Sequence, residues 1–127
     1  MKTNPTDPFD FNQSSPSGQA GFEVFENEKK QSWYFHGNDV GGTAILFSQS
    51  YSSSDAAHRG LNTSLKLLKK KRAKLQESPE GWQIVVRSGN HQELMRSLPF
   101  PTEAEAQKRL EFFLKVAASS NPVAKAQ

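Results

Sequence analysis

A shift of 49 positions lays one half of this 127-residue chain onto the other. It carries Trp33 onto Trp82, Phe35 onto Ile84 and Ile45 onto Leu94. It also carries Ser48 onto Ser97, Tyr51 onto Phe100 and Ser53 onto Thr102, then Ala57 onto Ala106, Leu61 onto Leu110 and Leu65 onto Leu114. One such pair means little, but nine chemically similar pairs in one gap-free register mark an internal repeat. Whatever the first half folds into, the second must fold into as well. A unit of about 45 residues buries too little apolar surface to stand comfortably alone, so the halves must shield each other.

The local pattern within each half is short strands followed by a helix. Phe22-Glu-Val-Phe-Glu alternates apolar and polar residues, Asn27–Lys30 makes a turn, and Gln31–His36 (QSWYFH) is an aromatic-rich strand. Gly37–Gly42 supplies turn residues, and Thr43–Gln49 (TAILFSQ) reads as a third strand. Ser53 or Ser54 can cap a helix with Asp55 in its first turn. The apolar stripe of that helix is Ala57, Leu61, Leu65 and Leu68, and rotation of Arg72 toward the stripe predicts an end near Lys70 or Lys71. In the second half Ala73–Glu77, Trp82–Arg87 and Gln92–Leu98 read as strands, with turns at Pro79–Gly81 and Ser88–His91. Thr102 can cap a helix carrying Ala106, Leu110, Phe113, Leu114 and Ala117.

The ends differ from this middle. Residues 1–20 hold three prolines and three serines without apolar periodicity, which predicts a disordered tail. Pro122 discourages the last helix from continuing, so 119–127 is expected to be a flexible tail as well. Between them lies one pseudo-two-fold domain, 21–118, with repeat one at 21–71 and repeat two at 72–118. The expected fold is α+β: two β-β-β-α repeats that share one antiparallel sheet, with both helices on one face. The opposite sheet face is expected to lie open. If Trp33 and Phe35 point inward, Tyr34 and His36 point out onto it.

The stretch GTAILFSQSYSSSDAAHRGLNTSL resembles the signature of the YegP-like family of small bacterial proteins with tandem repeats. That motif runs strand, Ser, then Tyr-x-Ser, then a helix with a Gly-Ile/Leu pair and a later Ser, here Ser48, Tyr51, Ser53, Gly60, Leu61 and Ser64. Phe22-Glu-Val-Phe is similar to the family's opening Phe-Glu-Ile-Tyr strand. The resemblance spans Gly21 to about Ala118 and weakens in the second half, where Pro99-Phe100-Pro101-Thr102 replaces Tyr-x-Ser and Arg109 stands in place of Gly60. It implies one antiparallel sheet built from two β-β-β-α units, with strand exchange after the first helix giving Ala73–Glu77 its place. The family has no established activity, so the resemblance implies a fold and no function.

Candidate sites follow from charge and residue type. The chain carries a formal +3, but residues 61–77 alone sum to +5 and the other 110 residues to −2. Arg59, Lys66 and Lys70 fall within about 40° of one another on the helix, opposite the apolar stripe. With Lys69, Lys71, Arg72 and Lys74 they form a candidate polyanion-binding ridge, beside which an outward Tyr34 could stack on a base. The plainer reading is a solvated helix face whose lysines favour the C-terminal dipole. His36, His58 and His91 have no ligand spacing, and no Gly-x-Ser-x-Gly elbow surrounds Ser48–Ser54. Tyr51 and Phe100 read as staples at the two helix entries. In the tail, Phe9 and Phe11 sit between acids as a candidate docking segment for a partner groove.

No nucleophile or acid–base pair emerges, so an enzyme is not expected, nor a cofactor or a metal. With no cysteine there is no disulfide scaffold or thiolate site. The absence of a long apolar run and of a leader-like start predicts a cytoplasmic chain with no membrane span. The expected function is a small interaction module that binds a protein partner through its open sheet face or its tail. The alternative is nucleic-acid binding at the basic end of the first helix. Monomer and homodimer are both compatible with an internal pair.

Overall fold

A computed structural model describes residues 18–89 and 92–119. Expectations that fall on 1–17, Phe9 and Phe11 among them, on His91 and on 120–127 lie outside the described residues. Strands β1 (Gly21–Asn27), β2 (Ser32–Asn38) and β3 (Ala44–Ser48) lead into α1 (Ser54–Lys69). Strands β4 (Ala73–Ser78), β5 (Gly81–Arg87) and β6 (Glu93–Ser97) lead into α2 (Glu103–Ser119).

All six strands form one sheet in the order β1-β2-β3-β6-β5-β4, and every neighbouring pair is antiparallel. The α+β class with one antiparallel sheet and two helices is as the sequence predicts. Strand exchange is not found: β4 pairs with β5 from Ala73↔Val86 to Ser78↔Gly81. Only Pro79 and Glu80 separate that last pair, and a two-residue hairpin loop forces its strands to be neighbours.

The backbone contacts recur at the 49-residue spacing. The Phe35 N–H donates to Ser48 Oγ at 2.9 Å, and the Ile84 N–H to Ser97 Oγ at 2.7 Å. Each hydroxyl then donates to the following carbonyl, Gln49 O at 2.8 Å and Leu98 O at 2.7 Å. Trp33 and Tyr51 exchange backbone bonds of 2.8 and 2.7 Å, as Trp82 and Phe100 also do. At the helix starts Ser53 Oγ accepts from the Ala56 N–H at 3.1 Å and Thr102 Oγ1 from the Glu105 N–H at 3.2 Å. These serve amides that would otherwise lack an intrahelical acceptor.

The helices bury the expected stripes: Ala57, Leu61, Leu65 and Leu68 on α1, and Ala106, Leu110, Phe113 and Ala117 on α2. Leu114 is only partly buried. They pack with Phe35, Ile45, Leu46, Ile84, Val86 and Met95 from the strands into one core. α1 touches α2 and strands of both halves, β1 and β2 as well as β5 and β6. Each leucine so enclosed contributes about 1.5–3 kcal/mol of transfer free energy.

The other sheet face carries its own apolar group. Phe25 stacks on Tyr34 with ring centroids 6.0 Å apart and meets His36 edge-on at 4.6 Å, and His36 meets Phe47 edge-on at 4.7 Å. Strand alternation thus puts Phe35 on one side of the sheet and its neighbours Tyr34 and His36 on the other. The expectation that this face lies open is overturned. Tyr34 is 5% exposed, His36 1%, Phe47 2% and Val85 1%. A cluster of four rings costs free energy in contact with water, and burial removes that cost. Tyr34 is therefore unavailable for stacking on a base.

Candidate functional site

The residues that carry the family-like motif all have structural employment. Ser48 accepts the Phe35 amide, Ser53 caps α1, and Leu61 is fully buried. Buried Ser64 donates to Gly60 O at 2.9 Å. Tyr51 stacks on Phe35 at 5.9 Å, and its ring lies where any side chain on Gly60 would have to go. Tyr51 is thus the staple its position predicts, and Gly60 is the gap it fills. Its hydroxyl is buried with no hydrogen-bond partner among the described residues, and burial pushes its pKa above the usual tyrosine value. In the second half Phe100 has no hydroxyl, and the Arg109 guanidinium lies 5.8 Å from its ring centroid. Arg109 also donates to Asp39 at 3.1 Å, tying α2 to the β2–β3 turn.

The basic residues gather where α1 ends. The Lys71 N–H donates to Leu68 O and the Arg72 N–H to Leu67 O, both at 2.9 Å, a Schellman closure in which Lys71 takes φ 57°. A left-handed residue there is usually glycine, so the turn holds a lysine in a conformation that disfavours it. The closure swings the chain directly into β4. Arg72, Lys74, Arg87, Val85, Ser88 and Gly89 then line a cavity of about 170 Å³. Arg59, Lys66, Lys69, Lys70, Lys71, Arg72 and Lys74 are all exposed, and no ion pair among the described residues engages them. The cavity joins Arg72 and Lys74 to Arg87, which sequence reasoning missed. It does not include Arg59, which stands about 15 Å up the helix from Lys69 at 1.5 Å per residue.

Arg87 is held in place by a polar network. It donates to Gln76 Oε1 at 3.0 Å and to Glu93 Oε2 at 2.9 Å. Arg96 donates to Glu93 Oε1 at 2.9 Å and to Gln83 Oε1 at 2.8 Å. Burial raises the Glu93 carboxyl, but Arg96 first and Arg87 second outweigh it and hold the group below the ordinary glutamate value. Glu93 therefore stays ionised and fixes two guanidinium groups at once. No local signal marks this network, because its members come from β4, β5 and β6.

Elsewhere the sequence candidates disperse. His36 and His58 are buried in separate places, and His58 Nδ1 lies 2.9 Å from Ser54 O in its own helix. Among the described residues no group of three His, Asp or Glu side chains is placed to hold a metal ion. No described helix is long and apolar enough to cross a membrane.

The architecture defines a class: a small α+β protein whose two helices accompany a single six-stranded antiparallel sheet. Two solved structures share it. One is the solution structure of yegP from E. coli, a protein of unknown function, with 20% identity, a TM-score of 0.69, and coverage of 83% of this chain and 90% of that one. The other is the solution structure of UPF0339 protein SO3888 from Shewanella oneidensis, with 14% identity, a TM-score of 0.69, and coverage of 80% and 86%. The chain has the YegP-like fold that its motif leads one to expect. No family model matches the sequence, and no curated protein does.

Proposed function

We propose that this protein is a non-enzymatic binding module that takes a nucleic acid at its basic corner. The observation that carries this reading is the convergence of Arg72, Lys74 and Arg87 on one cavity with no carboxylate among its described lining residues. Lys69, Lys70 and Lys71 extend the same positive surface along the end of α1. Phosphates held by such side chains release condensed counterions, so affinity falls steeply with salt. No ring stands among the described lining residues of the corner, which favours backbone contact over base stacking.

The reading treats the chain as two tandem β-β-β-α repeats, 21–71 and 72–118, with both helices on one face of the sheet. Support comes from the nine matched pairs, the hydrogen bonds repeated at the same spacing, and the contact of α1 with α2. A second reading is a protein partner bound through residues 1–20, where Phe9 and Phe11 stand between acids.

Titration of labelled single- and double-stranded oligonucleotides at low and high salt separates the two. The nucleic-acid reading expects a negative salt slope, and at least a tenfold weakening in the Arg72→Glu/Lys74→Glu variant. Absence of binding even at low salt ends it. Capture of a partner from the native host whose recovery ignores that variant would favour the protein reading.

A further inference from the structure

We propose that the basic corner is a pocket for a terminal phosphate monoester, the phosphorylated end of a nucleic acid, and not a track for the phosphodiesters along its length. The proposal rests on the nucleic-acid reading above and narrows it to one chemical group. Arg72, Lys74 and Arg87 line a cavity of about 170 Å³ with no carboxylate among its described lining residues. Pockets that take whole small molecules begin at about 300 Å³, so this one suits a single group and is too small for a base with its sugar. Each internal phosphodiester brings one negative charge. A monoester brings nearly two, with three strong acceptor oxygens. Of the two, the monoester is the better match for three cations at one point.

Arg87 is fixed before any ligand arrives. Its bonds to Gln76 Oε1 and Glu93 Oε2, at 3.0 and 2.9 Å, both leave from Nη2. Nη1 and Nε keep three N–H groups without a partner among the described residues. The Glu93 carboxylate that anchors Arg87 also accepts from Arg96 Nε at 2.9 Å, so two guanidinium groups neutralise it. A planar fork held in this way loses little freedom on binding an anion.

The first half shows that the fold does not demand this equipment. The shift of 49 carries Asn38 onto Arg87, Asp39 onto Ser88 and Ala44 onto Glu93. Sheet pairing sets Glu23 opposite His36 where it sets Lys74 opposite Val85. The backbone is the same in both places. The Asp39 N–H donates to Thr43 O at 2.9 Å, and the Ser88 N–H to Gln92 O at 2.8 Å. Register shifts fall between Gly37 and Asn38 and between Val86 and Arg87, a device that re-aims a side chain. On that shared frame the first half places Glu23, Asn38 and Asp39, none of them basic. A merely solvated helix end needs neither an anchored arginine on a neighbouring strand nor a carboxylate to anchor it.

The test uses the full chain and unlabelled strands of one sequence that end in a 5′-phosphate, a 3′-phosphate or hydroxyls alone. Each competes against a labelled strand at low salt. A phosphorylated end should bind about tenfold more tightly than the hydroxyl-ended strand, the effect of one charge-assisted hydrogen bond, and the two phosphorylated arms tell which end is taken. Most of that preference should disappear in Arg87→Gln and, separately, in Lys74→Gln, which leaves the Glu93 network intact. Equal affinity for all three strands overturns the proposal and leaves the nucleic-acid reading standing. Absence of binding by any strand overturns both. A preference that survives both variants puts the phosphate elsewhere and overturns the pocket. A phosphoserine peptide that competes as well as the phosphorylated strand would assign the pocket to a phosphoprotein, against the proposal.

Discussion

The two halves of this molecule share a hydrogen-bonded skeleton and differ in almost everything attached to it. Ser48 and Ser97 accept equivalent amides, and Tyr51 and Phe100 bridge equivalent tryptophans. Yet the first half fills its helix entry with a tyrosine against a glycine, and the second with a phenylalanine under an arginine. On the sheet face that carries Tyr34 and His36, the first half is aromatic where the second is a network around Glu93. The backbone contacts that define the fold recur, and the individuality lies at positions those contacts leave unconstrained. The candidate surface, the basic corner, lies in the unconstrained set.

The largest expected effect tests whether the stripes are equivalent. Leu61→Ala and Leu110→Ala should each cost about 2–5 kcal/mol in urea unfolding, as enclosed leucines do. Leu61, fully buried, should sit at the higher end, and near-neutral effects at both would mean that the helices bury other faces.

The helix entries should break the symmetry. Gly60→Ala puts a Cβ into the Tyr51 ring and should destabilise by about 1–3 kcal/mol, although alanine is the better helix former. Arg109→Ala, at the matching position, loses only a half-exposed cation and should cost under about 1 kcal/mol. Equal losses in thermal melts would contradict the packing difference.

Tyr51→Phe copies the second half's solution onto the first. Removing a buried hydroxyl without a partner should leave stability unchanged or raise it by about 1 kcal/mol. The pH dependence has a definite sign. Because the folded pKa of Tyr51 is raised, its stabilising contribution is full below the ordinary tyrosine value and is lost as pH rises through the folded value. The wild-type chain should therefore weaken at alkaline pH more than the variant. Glu93 works in the opposite direction, its lowered folded value making stability fall as acid protonates it, and Glu93→Gln should flatten that acid limb.

The smallest effect concerns the end of α1. Lys71→Gly should stabilise by about 0.5–1 kcal/mol through relief of the left-handed φ, whereas Lys71→Ala should not. A gain from both would assign the effect to charge.

Much of this was legible in the residues. The 49-residue register located the strand hydrogen bonds, the caps and both stripes, because periodic burial leaves a periodic trace. The far face was not. Alternation in QSWYFH tells which side chains share a face, but nothing in it tells whether that face meets water. Arg87 was missed because its neighbours in the cavity, Arg72 and Lys74, are brought to it by sheet pairing and not by spacing. The pairing of β4 was misjudged because a two-residue turn outweighed the analogy with exchanged strands.

The most direct test of the shared body is native-state hydrogen exchange at two amides, Phe35 and Ile84, each bound to the serine hydroxyl of its own half. If both halves enclose one core, the two amides open with the same free energy and the same denaturant dependence, through global unfolding. If one of them exchanges through a smaller, earlier opening while the other stays protected, the halves are separate units and the account is wrong.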